Sequence, residues 1–280
     1  MIHVANALSL LNPSNPDPNH PSWDTLLALR NTYTSPITAR IHLHKDDGSI
    51  VMWPHFNDSG SDPYCDVVIQ PNRMWAATFI PGNGFSAAEG ASAGAPQNWQ
   101  GHMDIECFAG GFNVDSNVLA FFLLAETGWK YGVGTPYLKD YAPPPFTSKA
   151  LWRMAYAIPY YDDIHGATGK LWSTGMAIAN KGASSVPILL TYTIGQNYTQ
   201  AGQQYKISFT VPANGLARFD LLQGNSGQNI PGLSAAGYPA ELNSEGHVDM
   251  TSRDSSLLEV SSIIAPSSYA EFMVEQAEAY

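Results

Sequence analysis

Charge is scarce in this chain. Lys, Arg, Asp and Glu make up 13% of its 280 residues, about half the roughly 25% of an ordinary soluble domain. The 13 basic residues are outnumbered by 24 acidic ones, the net charge is −11, and no Lys or Arg stands next to another. A nucleic-acid partner needs a basic footprint to displace counterions, and a membrane-surface helix needs a basic face. Neither is written here. No run of 18 apolar residues exists, so a transmembrane helix is excluded. Cysteine is limited to Cys65 and Cys107, outside any CxxC pattern, which argues against a zinc–thiolate centre. The pair reads either as one disulfide, in an oxidising compartment, or as two buried thiols. Residues Met1 to Leu11 lack a charged n-region and a small-residue cleavage site, so no signal peptide is expected in this chain. A surface of Ser, Thr, Asn, Gln, Gly and Tyr favours an extracellular, cell-surface or virion setting.

What is present is a repeat. Trp23, Thr25 and Asn31 return as Trp172, Thr174 and Asn180, each displaced by 149 positions. Pro36-Ile37 returns as Pro187-Ile188, Val68-Ile69-Gln70-Pro71 as Phe209-Thr210-Val211-Pro212, and Gly101-His102-Met103-Asp104 as Gly246-His247-Val248-Asp249. Four landmarks in one order indicate a duplicated domain. Features shared by both copies serve the fold first. Features of one copy are freer to serve function.

The local pattern is that of strands. Ile37 to His44 alternates, with Ile41 and Leu43 on one face and Arg40, His42 and His44 on the other. Lys45-Asp46-Asp47-Gly48 then reads as a hairpin turn. Further strands are expected at His3–Ser9, Leu26–Asn31, Ile50–Trp53, Asp66–Ile69, Trp75–Phe79, His102–Phe108 and Val118–Ala125. In the second copy they are expected at Trp152–Ile158, Gly175–Ala179, Ile188–Ile194, Tyr205–Val211, Ala217–Asp220, His247–Thr251, Leu257–Ile264 and Glu271–Glu275. With 24 glycines and 20 prolines spread along the chain, few segments are expected to be helices. The expected fold is all-β: two tandem antiparallel β-sandwiches, Ig-like or jelly-roll-like, related by duplication. They span residues 1–140 and 151–280. Residues 141–150 form the linker, because Pro143-Pro144-Pro145 cannot donate to a sheet. Two strand-poor segments, Pro81–Gln100 and Leu222–Glu245, read as long loops that carry contacts.

The second copy also carries a family likeness. Its markers are Leu171 to Asn180, Pro187-Ile188-Leu189-Leu190-Thr191-Tyr192, Val211-Pro212-Ala213, Arg218-Phe219-Asp220-Leu221-Leu222 and Val248-Asp249-Met250-Thr251-Ser252. In that order they resemble the small β-sandwich of sensory rhodopsin transducer proteins and related bacterial sandwiches. There too an Asn ends an early strand and a Val-Pro-Ala turn precedes a Phe-x-x-Leu strand. The likeness covers residues 152–264, with a fainter echo in 2–126. It implies the fold and a tendency to homo-oligomerise, and it carries no rhodopsin partner to this chain. The duplication and the longer loops depart from that family.

Candidate chemistry concentrates in the first copy. His42-x-His44 sets two imidazoles on one strand face, and His102-x-Asp104-x-Glu106 sets an imidazole beside two carboxylates. Adjacent strands would join them into a site for Zn, Mn or Fe. The competing reading is a solvated polar face, since Ile41, Leu43, Met103 and Ile105 take the core. His102 and Asp104 recur as His247 and Asp249, which favours a structural role at a strand start. The counterparts of His42 and His44 in the second copy are expected at Thr193 and Gly195.

Other motifs are weaker. Gly90-Ala91-Ser92-Ala93-Gly94 fits the nucleophile-elbow pattern but lacks the strand and helix around it. Asp46-Asp47 and Asp162-Asp163 are explained by turns. Trp99, Trp129, Tyr160 and Tyr161 fall in or beside expected loops and are candidate ligand-stacking residues. Trp23 and Trp172 are expected to anchor the two cores.

Three readings follow. First is a non-enzymatic structural or interaction subunit of a homo-oligomer or larger assembly, of viral, filament or cell-surface type, with no cofactor and other protein subunits as partners. Second is a carbohydrate-binding module whose loop aromatics take glycans. Third is a metal-dependent enzyme using His42, His44, His102 and Asp104.

Overall fold

The computed structural model describes residues 4–6, 23–56, 58–79, 85, 91–94, 96, 99–126, 132–137, 150–162, 171–252, 258–266, 273–276 and 278–279. Among them the chain is all-β, and helix is confined to short 3-10 turns. It divides into two compact units, one of His3–Lys45 and Ser49–Ala142, the other of Asp46–Gly48 and Pro143–Tyr280. The proline-rich segment expected as a linker lies outside the described residues.

The first unit holds β1 (Val4–Asn6), β2 (Trp23–Asn31), β3 (Ile37–Lys45), β4 (Trp53–Pro54), β5 (Ser61–Asp62) and β6 (Cys65–Ile69). It continues with β7 (Met74–Thr78), β8 (Trp99–Ala109), β9 (Phe112–Asn113), β10 (Val118–Glu126) and β11 (Gly132–Tyr137). One sheet runs β1-β8-β3-β6, with β9 paired to β8; a second runs β11-β10-β2-β7. Every pairing is antiparallel. Strand β3 buries Ile37, Ala39, Ile41 and Leu43 in strict alternation. These pack in one core with Leu27 and Leu29 from β2 and Trp75 and Ala77 from β7, so both sheets feed one buried cluster.

The second unit holds β12 (Ala150–Asp162), β13 (Leu171–Asn180), β14 (Val186–Ile194), β15 (Gln204–Val211), β16 (Leu216–Asp220) and β17 (Gly224–Asn225). After these come β18 (Ile230–Pro231), β19 (Ser244–Ser252), β20 (Leu258–Pro266), β21 (Met273–Gln276) and β22 (Glu278–Ala279). Here β12-β19-β14-β15 are neighbours in that order, and β21-β20-β13-β16 likewise. With β12, β13, β14, β15, β16, β19, β20 and β21 set against β1, β2, β3, β6, β7, β8, β10 and β11, these two four-strand orders match those of the first unit, but here β12 also pairs the start of β13 and joins them into one eleven-stranded sheet. Strand β15 reads exposed–buried through all eight residues. Tyr205, Ile207, Phe209 and Val211 join Ile188, Leu190, Tyr192, Phe219 and Val260 in the second core.

Matching corners repeat as well. The β6–β7 turn holds Asn72 at φ 57° and the β15–β16 turn holds Asn214 at φ 49°, the left-handed region that Asn tolerates better than most residues. Arg73 N–H donates to Gln70 O (3.1 Å) in the first, and Gly215 N–H to Pro212 O (3.1 Å) in the second.

Several expectations change. Trp172 is half-buried rather than a core anchor, and the side chain of Trp23 lies outside the described residues. The segment 222–245 is not an open loop: β17, β18 and 3-10 turns fold it onto the core, burying Leu222, Ile230, Leu233 and Tyr238. Cys65 and Cys107 are both buried, and no disulfide joins them. They pair with β3 from opposite sides, Cys65 against Ile41 and Cys107 against Ala39. Two strand spacings, about 10 Å, separate them, beyond the reach of a disulfide.

Candidate functional site

The polar face of β3 and β8 is the best-defined candidate. Antiparallel register sets Arg40 opposite Glu106, His42 opposite Asp104 and His44 opposite His102. Ile41, Leu43 and Met103 hold the other face in the core, so the polar side chains line up together. Their exposure is not uniform. Along β8 it falls from 56% at Glu106 to 25% at Asp104 and 0% at His102. A side chain expected on a solvated face is thus fully buried at one end of it.

That end gathers three metal-capable groups. One ligand atom each from His44, His102 and Asp104 lies within 4.8 Å of the other two. His102 Nε2 is 3.6 Å and His44 Nε2 3.8 Å from Asp104 Oδ2. The two imidazoles stack, centroids 4.9 Å apart and planes 11° from parallel. Among the described residues, neither ring nitrogen of His102 has a hydrogen-bond partner. Leaving a buried polar group so costs about 1–3 kcal/mol, and such exceptions ask for a cause.

His42 stands outside this group. Its Nε2 is 4.0 Å from Glu106 Oε2 and its ring lies 5.8 Å from Tyr64. Beyond it Arg40 makes a two-pronged pair with Asp66, 2.8 Å on each arm, and covers the Tyr64 ring at 3.9 Å. The hydrogen bond to Asp66 pushes the Arg40 pKa up, against desolvation. Three of the four candidates therefore converge, and the fourth joins the charged end of the ladder.

The second unit supplies an internal comparison. Strand pairing sets Thr191 opposite Asp249 and Thr193 opposite His247. These threonines, not Thr193 and Gly195, are the counterparts of His42 and His44. His247 is 40% exposed and 4.0 Å from Asp249, whose carboxylate is taken by Arg153 at 2.7 Å. The glycine of the shared motif has a backbone role in both units. A Cβ at Gly101 would overlap the carbonyl oxygen of His44, and one at Gly246 that of Thr193.

The aromatic candidates fare differently. Trp99 is buried edge-on against Phe79 and offers no face to a ligand. Trp129 lies outside the described residues. Tyr160 and Tyr161 are half-buried at the end of β12. Tyr198, another aromatic beside an expected loop, joins them through Tyr156 and Glu245, which the sequence did not single out: the Glu245 carboxylate accepts hydrogen bonds from Tyr156 and Tyr198, with Tyr161 in electrostatic range of both. Desolvation first, and then Glu245, pushes Tyr156 up to about 12 and Tyr198 higher.

Ser92 of the nucleophile-elbow pattern is an edge device. Its hydroxyl accepts from Asp66 N–H at 2.9 Å and its N–H donates to Asp66 O at 2.9 Å. With the Val67–Ala91 bridge this caps part of the free edge of β6.

Comparison with protein-family models, with curated proteins and with solved structures finds no match.

Proposed function

We propose that the chain is a non-enzymatic structural or interaction subunit, built from two duplicated β-sandwiches and assembling with copies of itself. The coincident strand orders and the shared Asn, Gly and turn positions support the duplication. They fit the resemblance to transducer-type bacterial sandwiches, whose homo-oligomeric habit this reading shares.

The observation that carries the assembly reading is β7. It ends its sheet, and among the described residues no strand pairs with its outer side. Natural edges are blunted by charge, proline or a bulge. Strand β7, Met-Trp-Ala-Ala-Thr, has none of these residues, and register places exposed Leu119, Arg30 and Met74 in one row across the outer face. Met74 is 68% exposed and Leu119 57%. By contrast β15 places Lys206 on its exposed face. An edge strand with no charge or proline of its own, beside exposed Met74 and Leu119, fits pairing with a second copy.

Light scattering across a concentration series tests this. A discrete oligomer is expected, and Met74→Lys with Ala76→Lys should weaken it at least tenfold. A monomer at every concentration overturns the reading.

A second reading, glycan binding, rests on the half-buried Tyr156 and Tyr198 at Glu245, with Tyr161 in electrostatic range of both and Tyr160 next to it on β12. It expects a tyrosine fluorescence change with some glycan that Tyr161→Ala abolishes. A broad array without a hit removes it.

A further inference from the structure

We propose that His44, His102 and Asp104 form a zinc(II) site on the first unit, with the Nε2 atoms of both imidazoles and Oδ2 of Asp104 as ligands. The inference is independent of the assembly reading, and either can fail alone.

Three observations converge on it. The first is donor type and number. Two imidazoles and a carboxylate are a common borderline set for zinc, and three protein ligands leave a fourth, tetrahedral position for water or another donor. The second is placement. The groups stand on two directly paired strands at adjoining register positions, His44 across from His102 and Asp104 two residues further on the same face. Rigid elements of this kind hold ligands better than loops do. The third is His102 itself. It is fully buried, and among the described residues both of its ring nitrogens lack a hydrogen-bond partner. A metal bond supplies what one of those nitrogens is missing.

The geometry needs a closure, since the three donors lie within 4.8 Å of one another. Tetrahedral ligands at bond lengths of about 2.0–2.1 Å sit roughly 3.3 Å from one another. The present separations to Asp104 Oδ2 are 3.6 and 3.8 Å. The two rings now stack nearly parallel, so their lone pairs do not meet. Rotation of the His44 ring, the more exposed of the two, turns its Nε2 toward the other donors. Metal loading therefore breaks the stack.

The second unit argues that the site is no by-product of the fold. Its Gly-His-x-Asp keeps the strand and the glycine contact. The second imidazole, however, is replaced by Thr193, His247 is exposed, and Arg153 holds Asp249. The ligand set exists in one copy alone, where a duplicated fold leaves room for a new role.

The test uses the full chain, stripped with chelator and dialysed. Zinc is added in competition with a chromophoric chelator, and cobalt(II) in parallel for its visible absorption. The expected result is one equivalent per chain, with the intense visible bands of a four-coordinate cobalt site. His102→Gln and, separately, His44→Gln should weaken binding at least 100-fold. His247→Gln, in the other unit, should leave it unchanged. Near-UV circular dichroism of each variant identifies any that fails to fold, and the exposed position of His44 relative to His102 makes His44→Gln the safer of the two. Absence of stoichiometric binding overturns the assignment. So does binding that survives both substitutions in folded protein, or binding lost equally with His247→Gln.

Discussion

Asn31 and Asn180 close the ends of β2 and β13 with matching hydrogen bonds. Asn31 Nδ2 donates to Ser35 O (2.9 Å) and Ile69 O (3.0 Å), and its Oδ1 accepts from Tyr33 N–H (2.7 Å). Asn180 Nδ2 donates to Ser184 O (2.8 Å) and Pro212 O (2.9 Å), and its Oδ1 accepts from Gly182 N–H (2.9 Å). Both side chains are fully buried. Each ties the start of the following loop to the end of the strand next to it in the other sheet. Asn31→Ala and Asn180→Ala should each cost about 2–3 kcal/mol, because buried carbonyls lose their donor. Urea unfolding measures this. Asn→Asp should cost at least as much, since it replaces the donor with a buried charge. A loss below about 0.5 kcal/mol in both would refute the shared role.

The glycines of the repeated motif should be equally intolerant. Gly101→Ala and Gly246→Ala each drive a methyl group into a carbonyl oxygen of the neighbouring strand, His44 in one case and Thr193 in the other. Strand separation must give, at roughly 3 kcal/mol by analogy with overpacked cores. Gly110→Ala, with open space around it but φ 57°, should cost about 1 kcal/mol from backbone strain alone. Thermal unfolding of the three variants ranks them.

Alkaline pH should unfold the second unit through its tyrosines. Burial pushes Tyr192, Tyr198 and Tyr238 up, and Tyr156 up to about 12. Tyr192 and Tyr238 both meet the buried Ser244 hydroxyl at 2.7 Å. An unfolded tyrosine ionises near pH 10. Between that value and the folded one, the native chain holds more protons than the unfolded chain. Stability is therefore complete below about pH 10 and falls as pH rises. Urea midpoints on either side of pH 10 should show the fall, and absorbance at 295 nm should show tyrosines that ionise only with unfolding.

His55 should titrate above its ordinary value. Its Nδ1 lies 2.7 Å from Asp58 Oδ1 and its Nε2 3.0 Å from Asp62 Oδ2. Asp58 first, then Asp62, pushes its pKa up. Asp58 moves down, chiefly because Gly60 N–H donates to it and then because of His55. The protonated pair favours the fold below about pH 6.5, and that contribution is lost as pH rises through the folded value. Imidazole shifts by NMR should give a midpoint above 6.5, and Asp58→Asn should bring it back toward 6.5. An unchanged midpoint in that variant would break the assignment.

The strands were legible because alternation is local. Ile37 to His44 writes its own buried and exposed faces, and Lys45-Asp46-Asp47-Gly48 announces its turn. Strand β11 was not legible. Gly-Val-Gly-Thr-Pro-Tyr has the composition of a loop, and it forms a strand because it lies at a sheet edge, where proline's missing donor costs no ladder bond. The segment 222–245 misled in the opposite sense, since its glycines and polar residues hide four side chains that pack into the core.

The sequence by itself determined an all-β chain, its turns and its internal echoes. It also named His44, His102 and Asp104 as residues of interest. Tertiary structure decided which of them meet. Register between β3 and β8, set by strands distant in the chain, put His44 across from His102 and His42 across from Asp104, while the His42 ring approaches Glu106 instead. It also buried His102 and Trp99, whose local patterns promised exposure. Pairing and burial are sums over contacts from remote segments, and no window of neighbouring residues contains them.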